Sequence, residues 1–214
     1  MNNGKYPLRV PAISLGLTYL VSIVLLGELL GSTADSSATY GKLFSDDAAL
    51  TQDFIGAIAL VASGATLVWL ITAMRATVYS QSEKFLCDLA SAFGIVASAA
   101  LIMAAGLLLT VPFTIILGRI TGDPGIESSV QAGIAQVGSV CLFLAVFPLA
   151  IAVVLIGKLG KGIGVLPRWF LVASWFTSVF LVLLGWTVGL LLTFALWSLA
   201  LGLTWRLPKV FAGE

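Results

Sequence analysis

The chain has 214 residues, of which 59% are hydrophobic and 10% charged, with a formal net charge of +1 and a mean hydropathy of +1.09. That is more apolar surface than one core of this size can bury, which predicts an integral membrane protein rather than a soluble domain. A near-neutral chain without a clustered basic face does not suit nucleic acid, and a histidine count of zero removes the commonest zinc ligand and general base together, and with them most hydrolase mechanisms.

The uncharged runs are long enough to cross a hydrocarbon layer of roughly 30 Å as helices, and the alternation of a transmembrane barrel is missing. The predicted fold is all-α, a polytopic bundle of six helices forming a single domain over residues 1–214. The first helix covers 10–30, with Pro11 near its start, where proline is tolerated. Basic residues precede it and small residues follow it, as in a signal peptide, but its apolar part is longer than a typical h-region and it is read as retained. A polar outer loop, 31–45, leads to a second helix at 46–74, with Ser45 as its N-cap and Asp46 and Asp47 in its first turn. The third helix, 85–117, has more uncharged length than one perpendicular span needs, so a tilt or a break near Pro112 is expected. The fourth, 129–157, carries Pro148 in its interior and is expected to kink. The last uncharged run, from Trp169 to Trp205, is too long for one crossing and is divided at GWTVG into helices at 169–186 and 187–205.

Charge that played no part in counting the spans is consistent with this scheme. With both termini inside, nine basic residues are cytoplasmic (Lys5, Arg9, Arg75, Lys84, Lys158, Lys161, Arg168, Arg206 and Lys209) and two are outside, Lys42 and Arg119. Such a bias follows the positive-inside rule.

Glu28, in VLLGELLG, is the polar group that most needs an explanation. It lies 18 residues beyond Val10, roughly 27 Å along a helix and so near the outer interface. There it either reaches headgroup water or faces a cavity and contacts a ligand, lipid or partner. Asp88, one turn after Lys84, pairs with Lys84 or Arg75 at the inner membrane end. A proteolytic dyad of Glu28 and Asp88 is excluded, because carboxylates sharing a proton must lie within a few Å. Gln136 and Ser139 either bond across helices or line a polar pocket with Thr66, Ser98 or Thr110. Small residues at Ala90, Gly94, Ser98 and Gly106 form one stripe on the third helix, and the pairs Gly27/Gly31 and Gly185/Gly189 have GxxxG spacing. All of these predict close helix packing.

The acids Asp46, Asp47, Asp53, Asp123 and Glu127 form a solvated outer surface without a metal-binding loop pattern. Cys87 and Cys141 lie on different helices and indicate neither a disulfide framework nor a metal site. No catalytic residue, metal or cofactor is expected. Trp169, Trp186 and Trp205 suit interfacial belts, whereas Trp69, Trp175 and Trp197 face lipid or line a pocket. The echo of VLLGELLG in VLLGWTVG is coincidental, because helices one and five cross in the same direction and an inverted repeat would not relate them so.

TYLVSIVLLGELLG with its outer acid, the polar loop, ALTQDFIGAIAL and GVLPRWFLVASWF together resemble, across most of the chain, a bacterial family of six-helix membrane proteins known as a domain of unknown function; LPRW at 166–169 is the most specific piece. The resemblance implies a six-helix topology in a bacterial inner membrane and brings no activity or catalytic residues. Three functions are weighed. The first is binding of a hydrophobic or amphipathic small molecule or lipid within the bundle, as a carrier, sensor or transport component. The second is an accessory or interaction subunit of a membrane complex or homo-oligomer, with membrane lipids as its surroundings. The third is an intramembrane enzyme.

Overall fold

A computed structural model describes residues 8–27, 47–78, 84–122, 127–184 and 188–205. Among them are six α-helices and no strands: α1 (Arg9–Leu25), α2 (Asp47–Val78), α3 (Lys84–Thr121), α4 (Ser128–Gly162), α5 (Arg168–Leu184) and α6 (Val188–Thr204). Three of these, α2, α3 and α4, are long and apolar enough to cross a membrane. The long uncharged run does divide into two helices, with 185–187 between them outside the described residues. α3 continues through Pro112 and α4 through Pro148. Of the tilt or break expected near Pro112, a break is not found, since a single proline removes only one backbone donor. α2, α3 and α4 run four or five residues past their expected C-terminal ends, to Val78, Thr121 and Gly162, whereas α1 ends at Leu25, short of the expected 30, with 28–30 outside the described residues, as is the expected N-cap Ser45.

Each helix packs on its sequence neighbours, and α6 closes back on α1, so the six form a ring. Contacts at two levels fix α1–α2, α2–α3 and α1–α6 as antiparallel. On α1 and α2, Gln52 lies by Leu25 while Ser63 lies by Thr18. On α2 and α3, Gly64 lies by Ser98 while Arg75 meets Asp88. On α1 and α6, Gly16 lies by Leu199 while Gly202 lies by Ile13 and Arg9. Strict alternation brings Arg9, Arg75, Lys84, Lys158, Lys161 and Arg168 to one end of the bundle and Arg119 to the other.

The outward face of each helix is apolar and exposed, as at Ile55, Ile58 and Trp69 on α2 or Val137, Val140, Leu144 and Phe147 on α4. The opposite faces form one continuous core. Leu60, Leu67, Leu101, Ala104, Leu108, Leu142 and Leu149 are all buried there. This single exposed stripe at helical spacing is what an apolar helix shows when one side meets neighbours and the other meets lipid.

The connection between α4 and α5 explains the LPRW segment. Gly164 adopts φ +75°, a left-handed conformation that ends α4 at little steric cost. The amides of Val165 and Leu166 both donate to the Gly160 carbonyl at 3.0 Å, and the Leu166 side chain fills the notch at Gly160. Pro167 then starts α5, accepting from the Phe170 amide at 3.0 Å. Trp169 is left outside and Phe170 fully buried. LPRW thus builds a turn.

Candidate functional site

The α2–α3 seam is made by small residues. A Cβ at Gly64 would stand 2.5 Å from Ile102 Cγ1, and one at Gly94 2.5 Å from Ile71 Cδ1, so both helices approach as closely as their backbones permit. Ala90 and Ser98 are buried in the same seam. Because the backbones are so near, the Ser98 hydroxyl reaches across and donates to the Gly64 carbonyl at 2.6 Å. Gly106, the fourth member of the expected stripe, differs: it is exposed, and a Cβ there would meet nothing within 4 Å. The seam turns away from it because a helix of 3.6 residues per turn rotates a strict four-residue repeat off its contact face.

The polar residues expected to line a pocket separate into two levels. Ser98 and Thr110 are twelve positions apart on the same continuous helix, about 18 Å. Ser98 shares a level with α2, near Gly64, while Thr110 lies with α4, where Gly138 packs on Leu107 and Leu108. Their hydroxyls are also already bonded. Thr66 donates to the Ala62 and Ser63 carbonyls at 2.9 and 3.0 Å, Thr110 to Gly106 at 2.8 Å, and the buried Ser139 to Ala135 at 2.9 Å. Bonds of this kind use the one donor of each hydroxyl and leave it only as an acceptor. Gln136 lies on the exposed side of α4 and makes no hydrogen bond to the described residues. Glu28, Gly31 and Gly185 lie outside the described residues, as do the side-chain surroundings of Gly189; Gly27 is half-buried just past the end of α1.

A different polar group takes the interior position. Asp53 was expected on the solvated outer surface, but it is only 2% exposed and is the one carboxylate in the described core. Its stripe on α2, Leu50, Asp53, Ala57, Leu60, Gly64, Leu67, is otherwise small or apolar, and that spacing is the signal that marks position 53 as inward-facing. The physical cause lies one turn on. At Gly56, Leu26 Cγ and Leu25 Cβ come within 2.9 and 3.0 Å of where a Cβ would stand, so the end of α1 presses onto α2. The Gln52 amide donates to the Leu25 carbonyl at 3.3 Å, satisfying one of the carbonyls a helix leaves bare at its C-terminus. At the same end of the bundle, Asp47 pairs with Arg119 across α2 and α3 on the exposed surface. This corner, at the Arg119 end of the bundle, is the best candidate for a binding site.

At the opposite end Asp88 pairs with Arg75 at 2.9 Å, both about half exposed, which selects one of the two partners expected for it. Cys87 is buried beside it and Cys141 is half-buried on α4; both are free thiols. The third polar arrangement is aromatic. Tyr19, Phe170, Phe194 and Trp197 are buried together where α1, α5 and α6 meet, with ring centroids 5.0 Å apart for Tyr19–Phe194 and 5.9 Å for Phe194–Trp197. Trp197 Nε1 donates to Ser174 Oγ at 2.9 Å, and Ser174 donates on to the Phe170 carbonyl at 2.8 Å. Trp197 is thus a core residue, whereas Trp69 and Trp175 are exposed. Among the described residues no three His, Cys, Asp or Glu side chains are grouped to hold a metal ion.

No family model, curated protein or solved structure matches this chain.

Proposed function

We propose that this protein is an integral membrane protein that crosses the bilayer six times with both termini cytoplasmic, and that it works as an accessory or interaction subunit through its outer surfaces. The sidedness follows from the basic end of the bundle, which the positive-inside rule assigns to the cytoplasm. The three 17-residue helices α1, α5 and α6 are about 26 Å long, close to the thickness of a hydrocarbon layer. The single observation that carries the functional reading is the state of the hydroxyls expected to line a pocket. Ser98, Ser139, Thr66 and Thr110 each donate to backbone, so none of these four offers a ligand a hydroxyl donor, while extensive apolar faces point outward.

Photo-crosslinking from lipid-facing positions such as Leu144 and Val179 in native membranes tests this. Discrete protein adducts from one helix face are the expected result. Lipid adducts alone, from every face, would reject it.

A second reading is favoured by one observation, the buried Asp53. A carboxylate kept inside the corner at the Arg119 end suits capture of a cationic or hydrogen-bond-donating amphiphile there. Under that reading Asp53→Asn lowers the amount of co-purifying small molecule while the helical content stays as in the parent chain. Unchanged retention in Asp53→Asn rejects it.

A further inference from the structure

Gln136 is an exposed amide on an apolar face of α4. The Ser139 hydroxyl, one turn on, donates to backbone, yet the Gln136 amide, with two donors and one acceptor, makes no hydrogen bond to the described residues. Its surroundings on α4 are apolar: Val137 and Val140 are 54% and 55% exposed. Lipid tails offer an amide neither donor nor acceptor.

Its depth follows from the charges that flank the helix. Gln136 lies nine positions after Glu127 and twenty-two before Lys158, or about 14 Å from the outer charge and about 33 Å from the inner one. A hydrocarbon layer of roughly 30 Å centred between those charges takes in the amide by about 5 Å. The adjacent helix agrees, because Thr110, at the same level, lies nine positions before Arg119.

We infer that the outward face of α4 around Gln136 is the contact between two copies of this chain, with the two Gln136 amides hydrogen-bonded to each other. The inference rests on the reading that the protein works through its outer surfaces, and it names the partner. Two features select a second copy. A primary amide is self-complementary: paired with an identical amide across a two-fold axis it exchanges two N–H···O=C bonds. Copies inserted with the same sidedness hold their Gln136 side chains at the same depth, so a two-fold axis along the membrane normal brings like to like. One turn away Gly133 faces open space, with nothing within 4 Å of where its Cβ would be. A facing helix can therefore come close enough for the amides to meet, as at other small-residue crossings in membranes. Val137 and Val140 then pack on either side of the pair.

The test uses the full chain in lipid vesicles, with self-association followed by energy transfer between labelled copies as the lipid-to-protein ratio is raised. The parent chain is expected to dimerise, and Gln136→Leu to weaken the dimer roughly three- to thirty-fold. Leucine suits a lipid-facing helix position, so Gln136→Leu keeps the fold, which its circular dichroism verifies. Gln136→Asn, with a shorter amide, should weaken the dimer less than Leu. In a Cys87→Ala, Cys141→Ala background, Gln136→Cys in native membranes should form a disulfide-linked dimer on mild oxidation. A dimer indifferent to Gln136→Leu, or a Gln136→Cys chain that links to a different protein, overturns the inference and leaves the accessory reading standing. A parent chain that stays monomeric at every dilution overturns the inference, and the photo-crosslinks described above then decide the broader reading separately.

Discussion

The α2–α3 seam and the corner where α1, α5 and α6 meet hold helices together by opposite means. At the seam the contact depends on what is missing: Gly64 and Gly94 leave room for Ile102 and Ile71, and Ser98 reaches the bared carbonyl of Gly64. At the corner it depends on what is present, four aromatic rings and one indole N–H seated on Ser174. Both contacts rely on packing and hydrogen bonds. The seam should therefore be harmed by added atoms and the corner by removed ones.

Removing the Trp197 side chain should have the largest effect. Trp197→Ala empties a buried site and is expected to cost about 3–5 kcal/mol, read as a fall in unfolding free energy in mixed micelles titrated with a denaturing detergent. A smaller loss than at the seam would reverse the contrast. Next comes overpacking: Gly64→Val brings new atoms against Ile102 and should cost about 1–3 kcal/mol. Combining it with Ile102→Ala should recover much of that loss, since Ile102 is the nearest obstacle and its 40% exposure shows a side chain at the rim of the seam. Failure of the double variant to recover would place the obstruction in the Ser98 backbone carbonyl, 3.2 Å away.

Trp197→Phe separates the ring from its hydrogen bond. Losing the N–H while the aromatic packing remains is expected to cost about 1 kcal/mol, measured in the same titration. The smallest effect belongs to the basic end. Arg75 and Asp88 are 54% and 47% exposed, so Arg75→Gln should change stability by about 0–1 kcal/mol. A loss as large as that of Gly64→Val would mean that the ion pair and the glycine seam act as one unit.

Much of the fold was legible before any contact was known, and the reason is local. Helix number and rough extent follow from uncharged runs bounded by Arg75, Lys84, Arg119, Lys158 and Arg168 and divided at the GWTVG sequence, 185–189. Part of the seam was legible as well, because Ala90, Gly94 and Ser98 repeat every four residues. The candidate site was not. Thr66, Ser98, Thr110, Gln136 and Ser139 are similar polar interruptions in apolar runs, but their environments depend on rotation about the helix axis and on register with neighbours. Gln136 faces outward and Ser139, three positions later, is buried. Asp53 shows the same limit in reverse: beside Asp46 and Asp47 it reads as one more surface acid, and it is buried because Gly56 admits the end of α1 against α2.

The sequence by itself determined that this chain is helical, strongly apolar and basic at one end, since composition and the spacing of charges act through local hydrogen bonding and transfer free energy, which need no partner helix. The tertiary structure alone decided the closed ring of α1 on α6, the two levels that keep the polar residues apart, and which of them face inward. Those outcomes depend on interlocking shapes, and a notch such as Gly64 acquires its meaning only when Ile102, thirty-eight residues away in the chain, is brought into it.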